Sequence, residues 1–334
     1  MTVDHAAEEG VLGFAHAALI IDAGLDLSSV LGAELRRSAE VYDEVLLIVG
    51  DRTRAVLADT DVPGEVVSWA DPAAFYQRLG SAYETFRHYL AAQHQAGRRV
   101  HVIAEPDLTS TVDPGFHAER VAAYLAYEAV CNDAYALGGG SAVTCIWDSR
   151  DHADTVIDAV RSTHSYLLTA AGPMSSPGYL SPERYLAERH ESSLRPAPPY
   201  VDRAVTLYEV AELSALRSML GAWTAEHGFT VQATEDVMVA VVEVATNGLR
   251  YGGAPVRIRA WRHGATLIVQ CDDAGGHPIP VTAGYHRPHP LAAVTGGRGL
   301  WLARQLADVA VMSSAPGRTS VRLYFPRQLM QPPS

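Results

Sequence analysis

The chain has 334 residues and is 48% apolar, which suits two domains, each with a core of its own. Its formal net charge of −12 argues against a direct nucleic-acid binder, because nothing would neutralise a phosphate backbone. Cys131, Cys145 and Cys271 lie far apart and form no CxxC, which argues against a disulfide framework or a structural zinc site. Each reads as a small buried hydrophobe.

The first ten residues carry Asp4, Glu8 and Glu9 and lack the basic and apolar regions of a signal peptide. No apolar run approaches the roughly eighteen residues of a membrane span, so a soluble, cytoplasmic protein without membrane contact is expected. Ala15–Ile21 and Glu44–Val49 read as buried strands, with helical spacing over Leu27–Glu40 between them. Further strands are predicted at Arg99–Ala104, Ala142–Trp147 and Ser165–Thr169, and helices at Pro72–Gln95, Pro114–Leu137 and Ala153–Ser162. Such alternation predicts an α/β domain with a mainly parallel sheet. Gly172–Pro182 is rich in Gly, Pro and Ser and starts a connector. Ser193–Tyr200, with three prolines in eight residues, marks the boundary between domains. The chain therefore divides into 13–170, a connector 171–202, and 203–326.

The second domain reads as an α+β sandwich with a mixed sheet. A strand is predicted at Arg203–Val210, helices at Ala211–His227 and Ala233–Tyr251, and strands at Pro255–Arg262 and Thr266–Cys271. A loop rich in Gly, Pro and His runs from Gly275 to Gly296, followed by a helix over Gly299–Ala307 and two strands ending near Phe325.

Four short motifs in this domain carry chemistry. Glu243 and Asn247 are four residues apart on a predicted helix and share one face, a carboxylate beside an amide oxygen that suits Mg²⁺. The glutamate has the chemistry of a base in phosphoryl transfer. The same spacing also suits an ordinary amphipathic helix. Asp272-Asp273-Ala274-Gly275-Gly276 follows a strand, where an aspartate accepts from an exocyclic amine and glycine lets a flat base approach; a plain turn reads the same way. Gly296-Gly297-Arg298-Gly299 opens a helix whose unpaired N–H groups favour an anion, although GxG is common in loop ends. No Gly-Lys-Ser/Thr follows, so this is not a Walker A motif. Gly317-Arg318-Thr319-Ser320 puts a hydroxyl at a turn, which also suits a hairpin.

In this order and within about 80 residues, the four motifs resemble the boxes of the GHKL ATPase superfamily. ATNGLRYGG and GGRGLWLARQLAD resemble its anti-sigma-factor serine kinases, in their actinobacterial branch, more than its sensor histidine kinases. The resemblance implies that Asn247 ligates Mg²⁺ and that Glu243 is the catalytic base. It implies Asp273 at the adenine amine with Gly275 beside the base, Gly297 and Gly299 along the phosphates, and Thr319 near adenine. Tyr251 stands where the family often has histidine. His286 and His289, with two residues between them in the loop, are read as loop residues rather than metal ligands, and His88 and His94 as surface residues rather than phospho-acceptors.

The first domain resembles the MEDS sensory domain over roughly residues 13–170. The matching phrases are His16-Ala-Ala-Leu-Ile, Ala104-Glu105-Pro106, Tyr127-Glu128 with Asn132, and Cys145-Ile-Trp-Asp148. The resemblance implies a RecA-like α/β fold, here without a P-loop. His16, Glu105, Trp147 and Asp148 are candidates for a sensory pocket; Glu105 and Asp148 as caps and His16 as a core residue is the alternative reading.

Together the resemblances imply an anti-sigma-factor regulator. It would bind Mg·ATP, sequester an alternative sigma factor and phosphorylate a serine on an anti-sigma antagonist, under control of a small-molecule or protein signal. The first helix of the second domain is the expected partner or homodimer surface, with Leu213, Leu216 and Leu220 inward and Glu212 and Arg217 outward. A sensor histidine kinase and a non-catalytic nucleotide-binding module stand as alternatives.

Overall fold

The computed structural model describes residues 14–58, 64–108, 114–136, 139–188, 194–275, 278–288 and 297–327. The expectations on the first ten residues and on Leu137, Ser193, Gly276, His289 and Gly296 lie outside them. The chain forms two compact units. The first comprises the chain up to Phe75 with Glu84–Asp107 and Glu128–Pro182; the second comprises Tyr76–Tyr83, Leu108–Tyr127 and the chain from Glu183 onward.

In chain order the first half contains β1 (Ala15–Ile21), α1 (Leu27–Val41), β2 (Glu44–Ile48), α2 (Asp51–Leu57), β3 (Val67–Ala70), α3 (Pro72–Phe75), α4 (Leu79–Gln95), β4 (Val100–Ala104), α5 (His117–Ala134), β5 (Ala142–Asp148), α6 (Asp154–Thr163), β6 (Tyr166–Thr169), β7 (Gly172–Ser175) and α7 (Pro182–Glu188). The strands of the first unit form one sheet in the order β3-β2-β4-β5-β1-β6-β7. All its pairings are parallel except the hairpin of β6 with β7. Every residue of β4 and all but the last of β5 are buried, as expected for a parallel sheet covered on both faces. Helix α1 opens on Asp26, whose carboxylate accepts from Ser29 N–H, and packs Val30, Leu31 and Leu35 into a core with Leu19, Leu47 and Ile103.

The single helix expected over 72–95 is two helices. The carbonyls of Tyr76 and Gln77 accept from the Arg120 guanidinium at 2.5 and 3.3 Å, and α4 starts beyond them at Leu79. The same Arg120, wholly buried, is paired with Asp308 at 3.0 Å inside the second unit. The helix expected from Pro114 begins as a 3-10 turn over Pro114–Phe116 before α5.

The second unit continues with β8 (Arg203–Leu207), α8 (Leu213–Glu226), α9 (Val231–Asn247), β9 (Val256–His263), β10 (Thr266–Asp273), α10 (Arg298–Leu306), β11 (Val309–Ala315) and β12 (Arg318–Pro326). Its sheet has the order β11-β12-β10-β9-β8 and is antiparallel throughout, where the sequence reading expected a mixed sheet. Alternation along β10 and β12 turns Leu267, Val269, Cys271, Val321, Leu323 and Phe325 into a core shared with Leu216, Leu220 and Trp223 of α8 and with Val237 and Val241 of α9. The opposite face carries a polar ladder. Gln270 accepts from Arg322 at 3.0 Å, and Asp272 accepts from Arg259, Gln270 and Ser320.

Thr230 caps α9 by accepting from Ala233 N–H, so this helix starts two residues before the expected Ala233. It ends at Asn247 in a π-turn over Gly248–Gly252 rather than continuing to Tyr251 as α-helix. A β-carbon on Gly252 would fall 2.2 Å from the Asp273 carboxyl carbon, so glycine lets the turn lie against the end of β10.

Candidate functional site

Beneath the π-turn, between α9, α10 and the ends of β10 and β12, lies a cavity of about 350 Å³. That volume is within the roughly 300–1,000 Å³ of small-molecule pockets. Val244, Val256, Ile279, Leu300 and Val321 make its wall mainly apolar, and Asp273, Thr319 and Asn247 supply polar groups. An apolar slot with one carboxylate and one hydroxyl suits a flat heteroaromatic base that carries an amine.

The two adjacent aspartates have separate jobs because successive residues of a strand face opposite ways. Asp272 looks away from the cavity. Burial works against its charge, but hydrogen bonds from Ser320 at 2.5 Å, Gln270 at 2.7 Å and Arg259 at 2.8 Å outweigh it and hold the carboxyl below its usual range. Asp273 looks into the cavity. Burial pushes its carboxyl above the usual range, against hydrogen bonds from Gly275 N–H, at 2.8 Å, and from Thr319, its partner in register on β12. Gly275 has φ of 72° and sits against the 317–318 turn, where a β-carbon would be 2.3 Å from the Arg318 nitrogen.

Glu243 and Asn247 share one face of α9, and the start of α10 packs on that face. A β-carbon on Gly299 would lie 2.7 Å from Glu243 Oε2 and 2.8 Å from Asn247 Nδ2. The N-terminal N–H groups of α10 therefore approach a carboxylate and an amide, and its N-cap, Gly297, is left-handed with φ of 98° and borders the cavity. An anion of a ligand seated in the cavity would meet these N–H groups, and the hard oxygens of Asn247 and Glu243 are donors of the kind Mg²⁺ takes.

Part of the loop before α10 is anchored to it. Arg304 is buried, donates to Ala283 O and Ala310 O at 3.1 Å each, and stacks 3.9 Å from the centre of the Tyr285 ring. Sequence reasoning passed over this arginine because its partners, a loop carbonyl at Ala283 and a strand carbonyl at Ala310, leave no pattern in the sequence. His286 is exposed, as are His88 and His94 on α4.

On α8, Leu213, Leu216 and Leu220 face the core and Arg217 is exposed. Glu212 is not free. Its carboxylate accepts from the backbone of Tyr208 and Glu209 in a capping box ahead of α8.

The four residues considered as a sensory pocket separate into two places. Glu105, Trp147 and Asp148 sit at the carboxyl ends of β4 and β5. There Glu105 accepts from Gly50 N–H at 3.0 Å, and Asp148 pairs with Arg52 at 3.0 Å and with Arg150. The side-chain hydrogen bond from Arg150 is the main cause that holds the Asp148 carboxyl down at about 2. His16 lies at the other end of the sheet, in register with Val143, five residues before Asp148 on the neighbouring strand. It is buried against Glu128, Cys145 and His164.

Residues 208–325 match the family described as the histidine kinase-like ATPase domain, and residues 15–165 match the MEDS family, the methanogen/methylotroph DcmR sensory domain. No curated protein matches the chain. Among solved structures, the chain is similar to the RsbU and RsbW domains of Rv1364c from Mycobacterium tuberculosis. That match has 18% identity and a TM-score of 0.28, and covers 37% of this chain and 32% of the other. It is also similar to the histidine kinase domain of the E. coli osmosensor EnvZ, at 15% identity and a TM-score of 0.23, over 42% of this chain and 97% of the other. At such scores neither likeness carries weight for function. The two family matches cover separate parts of the chain and agree with the two sheets, one mainly parallel and one antiparallel under helices. The chain thus joins a MEDS domain to a histidine kinase-like ATPase domain of the GHKL type.

Proposed function

We propose that the second unit binds Mg·ATP and transfers its γ-phosphoryl group to a serine of a protein antagonist, as part of an anti-sigma-factor regulator. The observation that carries this reading is the seating of the α10 N-terminus on Glu243 and Asn247 beside a cavity that holds Asp273 and Thr319. Adenine would occupy the cavity with its amine on Asp273, and the phosphates would run along Gly297 and Gly299. Asn247 would hold Mg²⁺, which when bound neutralises charge on the β- and γ-phosphates.

In the transfer step the serine oxygen bonds to the γ-phosphorus as the bond to the β,γ-bridging oxygen breaks, and ADP leaves. The serine proton passes to the Glu243 carboxylate. The rest of the rate enhancement comes from alignment and from the fixed N–H groups of α10.

The partners proposed are an alternative sigma factor, held by the ATPase unit, and the antagonist that carries the serine. The exposed side of α8 around Arg217 is the proposed contact surface, for a partner or for a second copy. The MEDS unit is proposed to sense a small molecule or protein. Among the described residues no helix is long and apolar enough to cross a membrane, and the cytoplasm is the compartment proposed.

The test is label transfer from γ-labelled ATP to antagonist proteins of the same cell. Acid-stable phosphoserine, lost in Glu243→Gln, is the expected product. Acid-labile phosphohistidine on the chain itself, or ATP binding with no transfer to any protein, would contradict the serine kinase reading.

A further inference from the structure

The cluster around His16 plays no part in the ATPase site, and it has the composition of a metal centre. Its side chains come from four elements of the first unit: His16 from β1, Glu128 from α5, Cys145 from β5, and His164 from the residue that ends α6. Strands β1 and β5 run in parallel with Ala18 opposite Cys145, so His16, two residues before Ala18, projects from the same face of the sheet as Cys145. One ligand atom from each of the four residues can be chosen so that all lie within 4.8 Å of one another. None of the four is more than 5% exposed.

The hydrogen bonding of His164 shows what the centre can accept. Its Nδ1 lies 2.8 Å from the carbonyl oxygen of Val160, and a carbonyl only accepts, so Nδ1 carries a proton. In the neutral ring Nε2 then presents a lone pair. That nitrogen is 2.9 Å from Glu128 Oε2, yet it makes no aligned hydrogen bond and is fully buried. Two acceptors facing each other in a dry interior repel unless a cation or a further proton joins them. His16 brings its own Nε2 to the same oxygen at 3.2 Å and to Cys145 Sγ at 3.7 Å, with the two imidazole rings only 4.1 Å apart.

We infer that His16, Glu128, Cys145 and His164 form a closed, four-ligand site for a divalent transition metal of the zinc class. Two imidazole nitrogens, a thiolate and a carboxylate are the donors Zn²⁺ takes in tetrahedral sites. One thiolate and one carboxylate balance its two positive charges, so the loaded site is neutral, which burial demands. Bond lengths of about 2.0–2.1 Å to nitrogen and about 2.3 Å to sulfur put tetrahedral ligands roughly 3.3–3.6 Å apart, reached here by side-chain shifts of about an ångström. The bond from His164 Nδ1–H to Val160 O is the outer-shell contact that orients a metal-bound imidazole. With four protein ligands no position remains for a reacting water, so the role is structural, pinning α5 and the end of α6 to the sheet.

The inference does not depend on the ATPase reading. The experiment uses the full chain, stripped with a chelator and titrated with Co²⁺ and then Zn²⁺. The expected result is one Co²⁺ per chain with a thiolate-to-cobalt charge-transfer band and tetrahedral ligand-field absorption, displaced by Zn²⁺. Cys145→Ser should abolish the charge-transfer band. Cys131→Ser, also a buried thiol on α5 but outside the cluster, should keep it. His164→Gln removes a direct ligand and should weaken binding by more than the roughly 10–100-fold that loss of an outer-shell partner costs. X-ray absorption fine structure of the Zn²⁺-loaded wild type needs no variant to fold, and should show one sulfur with three nitrogen or oxygen neighbours. A wild type without the charge-transfer band, a band that survives in Cys145→Ser, or a zinc shell without sulfur would overturn the inference and leave a proton-bridged His–Glu pair.

Discussion

Gly299 approaches Glu243 so closely that a β-carbon on the glycine would lie 2.7 Å from the glutamate Oε2. The obstructing atoms are the ends of flexible side chains, so Gly299→Ala should fold by pushing Glu243 and Asn247 aside. Alanine is the better helix former by about 1 kcal/mol, so thermal stability should hold or rise slightly. Mg·ATP affinity should nevertheless fall by about tenfold or more, a loss on the order of 1.4 kcal/mol. Unchanged affinity measured by calorimetry, in a variant that melts like wild type, would mean that these side chains do not meet the nucleotide.

Asp272 and Asp273 should separate stability from binding. Asp272 accepts three side-chain hydrogen bonds, and its carboxyl is held below its usual range. Its ionised form therefore stabilises the fold, a contribution present above the unfolded value and lost as pH falls through the folded one. Asp272→Asn should lower the unfolding midpoint by the equivalent of about 1.5–3 kcal/mol for a bond made to a charge. Asp273 has the opposite shift, so folding disfavours its charge, and Asp273→Asn should keep or raise the midpoint while it impairs ATP binding. The reverse pattern in denaturant melts and titrations would contradict the assignment of Asp273 to the cavity.

In the first unit His101 is buried between Ser38 and Thr144, with hydroxyl partners at 2.7 and 2.8 Å. Burial, the largest cause, lowers its pKa to about 4. The unfolded imidazole binds its proton at about 6.5, so acidification favours the unfolded chain from there down to the folded value. Between about pH 7.5 and pH 5 this one group should cost on the order of 2 kcal/mol. His101→Gln should remove that part of the pH dependence. Urea melts of wild type and variant with the same pH slope would contradict it.

The ATPase half was the more legible part of the sequence because its signals are local. Glu243 with Asn247, Asp273 with Gly275, and Gly297 with Gly299 are each only a few residues apart, and their order along the chain carries the rest. The π-turn was not legible: Gly252 lets it lie against Asp273, a residue of another element. In the first half, β3 escaped notice as a four-residue strand with Trp69 exposed, and α2 because it opens at Gly50 without a side-chain cap. His16 was singled out, but with the wrong company in view. The reading joined residues at strand starts and strand ends, whereas Glu128, Cys145 and His164 meet His16 only through the crossovers of the fold. Counting cysteines by spacing likewise could not show Cys145 beside two imidazoles.

The central claim is that the second unit holds Mg·ATP through Asn247 and the α10 N-terminus. The most direct measurement is calorimetric titration of the full chain with Mg·ATP, beside Asn247→Ala. One site per chain in the wild type, with affinity reduced at least about tenfold in the variant, is the predicted result. No wild-type binding at millimolar ATP, or equal binding by the variant, would contradict it.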